Sequence, residues 1–378
     1  MSGQHSFLPP SGASAWKQCA AWPAMNALYP KDDTPESLEG NAAHWVAWEL
    51  LAGHRPVEGN IDPAGIVITN EMIQGGELLV DTIFNTVPLD SHLNVEKPVA
   101  IKRIHDSCYG TPDVWFYDKE RFILYVWDYK FGHRFVDEFE NDQGVCYVEG
   151  IIAELSIKLG IPEGQLDQLI TVEFTIIQPR CFHKGAPVRT WKVRADTLRG
   201  QVNQLANAAT LTFDPVPTAT TNTECTDCPG SHACAALQEA AYSDSEYAVT
   251  SQPVELTPQA AALELRIMER SLERLQARVE GLRENVAAYI KQGHRVPFWC
   301  VEQGYGRDQW NVPNEQVFGI GELYGVDLSQ RKPLTPKQAA KLGIDETVIK
   351  QYSTTPLGKI KLIPDNESDA RRVFGNHT

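Results

Sequence analysis

Between Gly110 and Tyr147 the chain places charged side chains in a stretch that should otherwise bury apolar ones. The runs Val114-Trp-Phe-Tyr117 and Phe122-Ile-Leu-Tyr-Val-Trp127 flank the polar turn Asp118-Lys119-Glu120-Arg121. Aromatic and β-branched runs on either side of such a turn read as a β-hairpin. Strand side chains alternate faces, so Asp128 and Lys130 point one way and Tyr129 the other. Asp113, after Pro112, opens the partner strand and can meet them. Charges are rarely buried without a partner or a metal. Two carboxylates are hard ligands suited to Mg²⁺ or Mn²⁺, and a neighbouring ammonium can orient a water or offset phosphate charge. A lone Asp-x-Lys would equally fit an ion pair at the end of a surface hairpin. Pro112-Asp113 upstream, and Gln143 and Tyr147 on one face of the following helix, weigh toward a site.

The 378 residues leave room for one large domain with an appendage, or for two domains. A hydrophobic content of 42% with 22% charged residues is ordinary for a soluble globular chain. No apolar run approaches the roughly 18 residues of a membrane span. The start, Met1-Ser-Gly-Gln-His-Ser6, lacks the basic and apolar regions of a signal peptide, so the expectation is a cytoplasmic protein with no membrane partner. The net charge of −15 argues against non-specific nucleic-acid binding by the chain as a whole. DNA contact would need a local basic surface, for which Lys97, Lys102, Arg103, Lys130, His133, Arg134, Lys184, Arg189, Lys192 and Arg194 are candidates. A generic solvated face explains any one of them equally well.

In chain order, Ser14 can cap a short helix running through Asn26. Thr34-Pro35-Glu36-Ser37 starts a second helix, to about Ala52, with Gly40 and His44 on one face. A further helix is expected over Asn70–Asn85, and a strand over Val95–Ile104 in which Pro98 marks an edge or a bulge. Glu96 could support the site from that strand, and Glu39 beside the His44 face is a weaker candidate whose neighbour could be a surface Lys. A helix from Asp137 to about Leu159 carries Gln143 and Tyr147. Strands at Leu169–Pro179 and Val188–Val193 and a helix over Ala195–Thr210 complete an α/β sandwich, a mixed sheet flanked by helices.

The eight cysteines are too scattered for a disulfide scaffold in a cytoplasmic chain. Cys225-Thr-Asp-Cys228-Pro-Gly-Ser-His-Ala-Cys234, however, is a metal signal. For zinc, His232 could be the fourth ligand. For iron–sulfur a fourth cysteine is expected, and Cys19 is the remote candidate. Cys108, Cys146, Cys181 and Cys300 read as packing residues.

Taken together, Pro112-Asp113, Asp128-Tyr-Lys130 and Gln143-x-x-x-Tyr147 resemble the PD-(D/E)xK nuclease superfamily, and within it the RecB-like branch. That branch carries a Gly-x-x-x-His helix ahead of its core, which Gly40-Asn-Ala-Ala-His44 matches. Its iron–sulfur members, similar to AddB-type and CRISPR-associated exonucleases, place one Cys before that helix and three after the core. Cys19 and Cys225, Cys228 and Cys234 fall at those places. The resemblance implies a restriction-endonuclease-like α/β core with an iron–sulfur staple and a helical C-terminal extension. It implies catalysis by Asp113, Asp128, Lys130, Gln143 and Tyr147, with Mg²⁺ or Mn²⁺ on His44, Asp113, Asp128 and the Tyr129 carbonyl. It further implies a [4Fe–4S] cluster on Cys19, Cys225, Cys228 and Cys234. The implied activity is metal-dependent DNA exonuclease action in phage DNA recombination or end processing. The implied partners are DNA ends, single- or double-stranded, and a single-strand annealing or binding protein. A second copy of the chain is a further candidate partner, through the helical arm. A junction resolvase of the same fold and a non-catalytic zinc-knuckle DNA binder are the alternatives.

The expected organisation is a nuclease domain over 1–240, a helical arm over 252–293 and a small region over 294–378. In the arm, Leu263, Ile267, Leu272, Leu275, Val279, Leu282, Val286 and Ile290 recur at helical steps among Arg and Glu. Such a helix would span roughly 50 Å, free to pair, to pack on the nuclease or to line DNA. Downstream, Phe298–Glu302 reads as a short strand. Gly304-Tyr-Gly-Arg307, with Trp310 after it, is a turn that could stack a base. Thr335–Gly343 reads as a helix–turn unit that could present Lys337 and Lys341 to DNA.

Overall fold

A computed structural model describes residues 6–30, 33–181, 186–247 and 257–301. The chain divides into units at 1–301 and 302–378. The second unit, with Glu302, the Gly304–Arg307 turn, Trp310 and Thr335–Gly343, lies outside the described residues, as does Lys184.

The helices are α1 (Ala13–Gln18), α2 (Trp22–Leu28), α3 (Pro35–Leu51), α4 (Asn70–Thr86), α5 (Asp142–Leu159), α6 (Glu163–Leu169), α7 (Arg199–Leu211), α8 (Ala235–Tyr247) and α9 (Pro258–Lys291). The strands are β1 (Asn94–Val95), β2 (Val99–Ala100), β3 (Tyr109–Gly110), β4 (Val114–Asp118), β5 (Ile123–Tyr129), β6 (Thr171–Ile177) and β7 (Val188–Arg194). Five of them form a mixed sheet in the order β1-β4-β5-β6-β7. The β4–β5 hairpin is antiparallel, β5 and β6 are parallel, and β6–β7 is antiparallel. A parallel pair needs a long crossover, here made through α5 and α6.

Period-2 alternation in β5 divides the core into two layers. Leu124 and Val126 join Trp16, Ile151, Ile152 and Phe174 under α1, α5 and α7. Tyr125, Trp127 and Tyr129 face the other way, against Val46, Leu79 and Ile83 of α3 and α4. Asp128 continues the Leu124–Val126 row, so its carboxylate enters the α5 side rather than solvent. Glycines let the layers close. A Cβ on Gly144 of α5 would stand 2.7 Å from the Phe174 ring, and one on Gly75 of α4 would stand 2.5 Å from the Tyr129 hydroxyl.

Several boundaries differ from expectation. The helix expected from Ser14 through Asn26 breaks into α1 and α2, with Cys19 extended between them (φ −140°, ψ 106°). Pro23 explains the break: in one continuous helix its ring would meet the Cys19 carbonyl. The strand expected over Val95–Ile104 is two short pieces in different sheets, divided at Glu96 (φ 44°) and Pro98. The expected Asp137 start moves to Asp142, because the Asn141 side chain caps α5 by accepting from the Gly144 amide at 2.9 Å. Helices α6 and α8 were not anticipated, and residues 298–301 are not a strand. No helix among the described residues is long and apolar enough to cross a membrane.

Candidate active site

The polar residues singled out in the hairpin and in α5 meet at the C-terminal end of β5. Lys130 Nζ lies 2.9 Å from Asp128 Oδ2 and 3.1 Å from Oδ1. The same ammonium donates to Gln143 Oε1 at 3.2 Å. The Gln143 amide donates in turn to the Tyr147 hydroxyl at 3.1 Å and to Asp128 Oδ1 at 3.4 Å. Asp113, immediately before β4, reaches the cluster from the other hairpin strand, and its Oδ2 accepts the Tyr129 amide hydrogen at 2.7 Å. From α3, His44 Nδ1 stands 3.7 Å from Asp113 Oδ1, its ring edge-on to Tyr129 at 5.2 Å. Thus two strands and two helices, on opposite faces of the sheet, converge on one point.

Electrostatics there are those of a desolvated acidic pair. Burial pushes Asp113 up to about 6, against the opposing pull of Lys130. Burial likewise raises Asp128, and the nearby Asp113 charge adds to it. Burial works against the charge of Lys130, yet the two aspartates outweigh it and hold the ammonium above the usual lysine value. Burial and Lys130 drive His44 down to about 4, leaving it a neutral imidazole near pH 7. Burial raises the Tyr147 phenol, which stays protonated. The buried Asp128 Oδ2 makes no hydrogen bond, because the ammonium beside it is out of line. Two buried carboxylates, one of them ion-paired to Lys130, with a neutral imidazole beside them, are a donor set that a divalent ion such as Mg²⁺ or Mn²⁺ could take. As they stand, no three His, Cys, Asp or Glu side chains among the described residues close on one ion.

Of the supports of this site, sequence reasoning offered Glu96 and missed Arg180. Glu96 accepts from Trp48 Nε1 of α3 at 2.7 Å, and its amide donates to the Asp113 carbonyl at 2.9 Å. Its charge opposes ionisation of Asp113 and favours protonation of His44. Arg180, just past β6, grips Glu39 with two hydrogen bonds at 2.6 and 2.7 Å and Glu71 of α4 at 2.9 Å. Its guanidinium lies 3.9 Å from the Phe131 ring centre. Glu39 therefore belongs to a strap joining α3, α4 and the sheet, not to a surface lysine pair. Its one sequence signal is position, a basic residue closing an apolar strand.

The expected basic face is largely neutralised. Lys97 pairs with Glu154, Arg134 with Asp227, Lys192 with Glu173 and Arg194 with Asp196. Arg189 is buried against Glu138, and Arg103 is enclosed by Glu149, Glu163 and Asp167.

A second cluster lies away from this site. Cys19, Cys225, Cys228 and Cys234 line one small cavity with Trp22, Met25 and Leu237. The amides of Thr220 and Asn222 point at the sulfurs of Cys19 and Cys225, each at 3.4 Å. Burial pushes Cys225 up and Cys228 to about 11. His232 lies outside that lining, its ring edge-on to Tyr29 at 4.7 Å. Four thiols around one cavity are a donor set that a zinc ion or an iron–sulfur cluster could take.

In comparison with known protein families, residues 5–372 match the model of DUF2800, described as a protein of unknown function.

Proposed function

The chain belongs to the DUF2800 family, and we propose that it is a metal-dependent DNA exonuclease with a PD-(D/E)xK restriction-endonuclease-like core. One observation carries this reading. Asp113, Asp128 and Lys130 meet at the end of a hairpin, with His44 on one side and Gln143 and Tyr147 on the other. Lys130 is the residue whose ammonium meets the nucleophile and the charge that develops on the phosphate. Gln143 holds that ammonium in place, and Tyr147 offers a protonated hydroxyl to a phosphate oxygen or a flanking nucleotide. The metal ligands would be His44, Asp113, Asp128 and the Tyr129 carbonyl. A bound Mg²⁺ or Mn²⁺ would supply Lewis acidity and a water of lowered pKa. Cys19, Cys225, Cys228 and Cys234 would hold a [4Fe–4S] cluster tying the N-terminal segment to the chain beyond α7. With the net charge at −15 and most Lys and Arg among the described residues ion-paired, attraction for phosphate there would rest on the metal and Lys130. Cytoplasmic action on phage DNA ends, beside a single-strand annealing or binding protein, belongs to the same reading.

The test is digestion of end-labelled linear DNA with Mg²⁺ or Mn²⁺, run beside closed circular DNA. Nucleotides should leave linear ends only, and Asp128→Asn or chelation should abolish release. Cleavage of closed circles would point to the junction-resolvase alternative. No metal-dependent cleavage, or undiminished cleavage by Asp128→Asn, would overturn the proposal.

A further inference from the structure

Helix α9 carries an apolar seam that its own body leaves open. Leu265, Met268, Leu272, Leu275, Val279, Leu282, Val286 and Tyr289 alternate at steps of three and four, the a and d positions of four heptads. Leu265, Met268, Leu272, Val279, Leu282 and Tyr289 are between 40% and 55% exposed. The helix is anchored by a different face. Ala277, Arg278 and Gly281 are buried, and Arg278 Nη1 donates to the Ser231 carbonyl at 3.2 Å, within the Cys228–Cys234 segment. Arg274 adds an ion pair to Asp244 of α8 at 2.9 Å. A continuous exposed apolar stripe of this length marks an interaction surface.

We propose that the seam is a dimer interface in which α9 of a second copy lies antiparallel across it. The two halves of the seam differ in shape. Val279, Leu282, Val286 and Ile290 form, with Trp299–Val301, an apolar groove of about 470 Å³. In the N-terminal half, Leu265, Met268 and Leu272 are exposed apolar side chains outside that groove. A twofold axis near Ala277 drops the projecting half of each copy into the groove of the other, making the contact twice. Charge selects the same orientation. Flanking positions of a parallel pair would set Glu264 against Glu269, a repulsion. The antiparallel pair sets Glu269 beside Arg283 of the second copy instead. Arg283 bonds Glu280 of its own helix at 2.6 Å, an exposed pair whose small energy is easily exchanged.

Sedimentation equilibrium of the full 42.1 kDa chain tests this. The wild type should be a dimer, and Leu272→Asp/Leu282→Asp a monomer under the same conditions. Ile267→Asp, on α9 and exposed but off the seam, should remain dimeric. Glu269→Arg should weaken the dimer a few-fold, and adding Arg283→Glu should restore it. A monomeric wild type, as when another part of the chain covers the seam, would overturn the proposal. So would a dimer that survives Leu272→Asp/Leu282→Asp, or one that Glu269→Arg tightens as a parallel pairing requires.

Discussion

Asp113 Oδ2 accepts a hydrogen bond from the Tyr129 backbone amide at 2.7 Å, so the first acid of the cluster is fixed to the strand that carries the second. The bond fixes where the carboxylate stands but does not make it acidic: burial still raises Asp113 to about 6. Metal binding at the proposed site must displace that proton. Mn²⁺ affinity should therefore rise with pH up to about 6 and level off above it. The contribution of Asp113 to the stability of the metal-free protein should run the other way. The folded state keeps the Asp113 proton to about 6, whereas an unfolded carboxyl loses it near 3.8, so this contribution falls as pH rises between those values. His44, lowered from 6.5 to about 4, contributes with the opposite sign, and the Asp113 trend is read as the difference between wild type and Asp113→Asn. Titration calorimetry with Mn²⁺, and thermal melts in chelator, follow the two trends. Affinity independent of pH across this window would remove Asp113 from the ligand set.

Gln143 receives the Lys130 ammonium at 3.2 Å and passes its own amide hydrogen to Tyr147. It also donates to Asp128 Oδ1 at 3.4 Å, so its part is to hold Lys130, Asp128 and Tyr147 in position. Gln143→Ala should slow cleavage by on the order of a hundredfold, as expected for a misplaced catalytic group, with Mn²⁺ affinity preserved. Tyr147→Phe keeps the ring in its packed place and removes only the hydroxyl, so its loss should be smaller. Equal losses in metal affinity and in turnover would mean that Gln143 shapes the metal site instead.

The sequence was most informative where local pattern and tertiary role agree. The β4–β5 hairpin, α3, α4, β6, β7 and α9 follow from alternation, helical periodicity and N-caps such as Thr34 and Thr69. The convergence of Asp113, Asp128, Lys130, Gln143 and Tyr147 followed from strand parity and one helical turn. Legibility ended where long-range contacts decide. Val95–Ile104 has strand composition, but Glu96 turns out of the strand to meet Trp48, a partner 48 positions earlier. Arg180 reads as a surface charge until Glu39 and Glu71 are brought to it from two other helices. The heptads of α9 were blurred by Leu263, Ile267 and Ile290, apolar residues outside the a and d positions.

Glu149, only 2% exposed in the middle of α5, is held by Arg199 and by Arg103, whose Nη1 lies 3.2 Å away. Arg103 also bonds Glu163 at 2.7 Å and Asp167 at 3.0 Å, joining α5 to α6. Removing one cation leaves buried acids facing one another. Arg103→Met should cost about 3 kcal/mol of folding stability, the usual scale for breaking a buried charge network. Denaturant unfolding measures it, and a change under about 0.5 kcal/mol would place Arg103 among ordinary surface residues.

Cys19 is separated from Cys225 by the whole α/β core in sequence, yet both line one cavity. If an iron–sulfur cluster fills it, Cys19 closes a loop around the core, and breaking that closure restores the entropy of a long chain segment. Anaerobically purified protein should then be brown and carry iron and sulfide. Cys19→Ser should lose both, together with much of the folded yield. His232→Ala separates this from a zinc knuckle, because the His232 ring packs on Tyr29 outside the cavity. Colour and iron content should be unchanged in His232→Ala. A colourless wild type containing zinc that His232→Ala releases would replace the four-cysteine cluster with a knuckle. A brown band that survives Cys19→Ser would require a different fourth ligand.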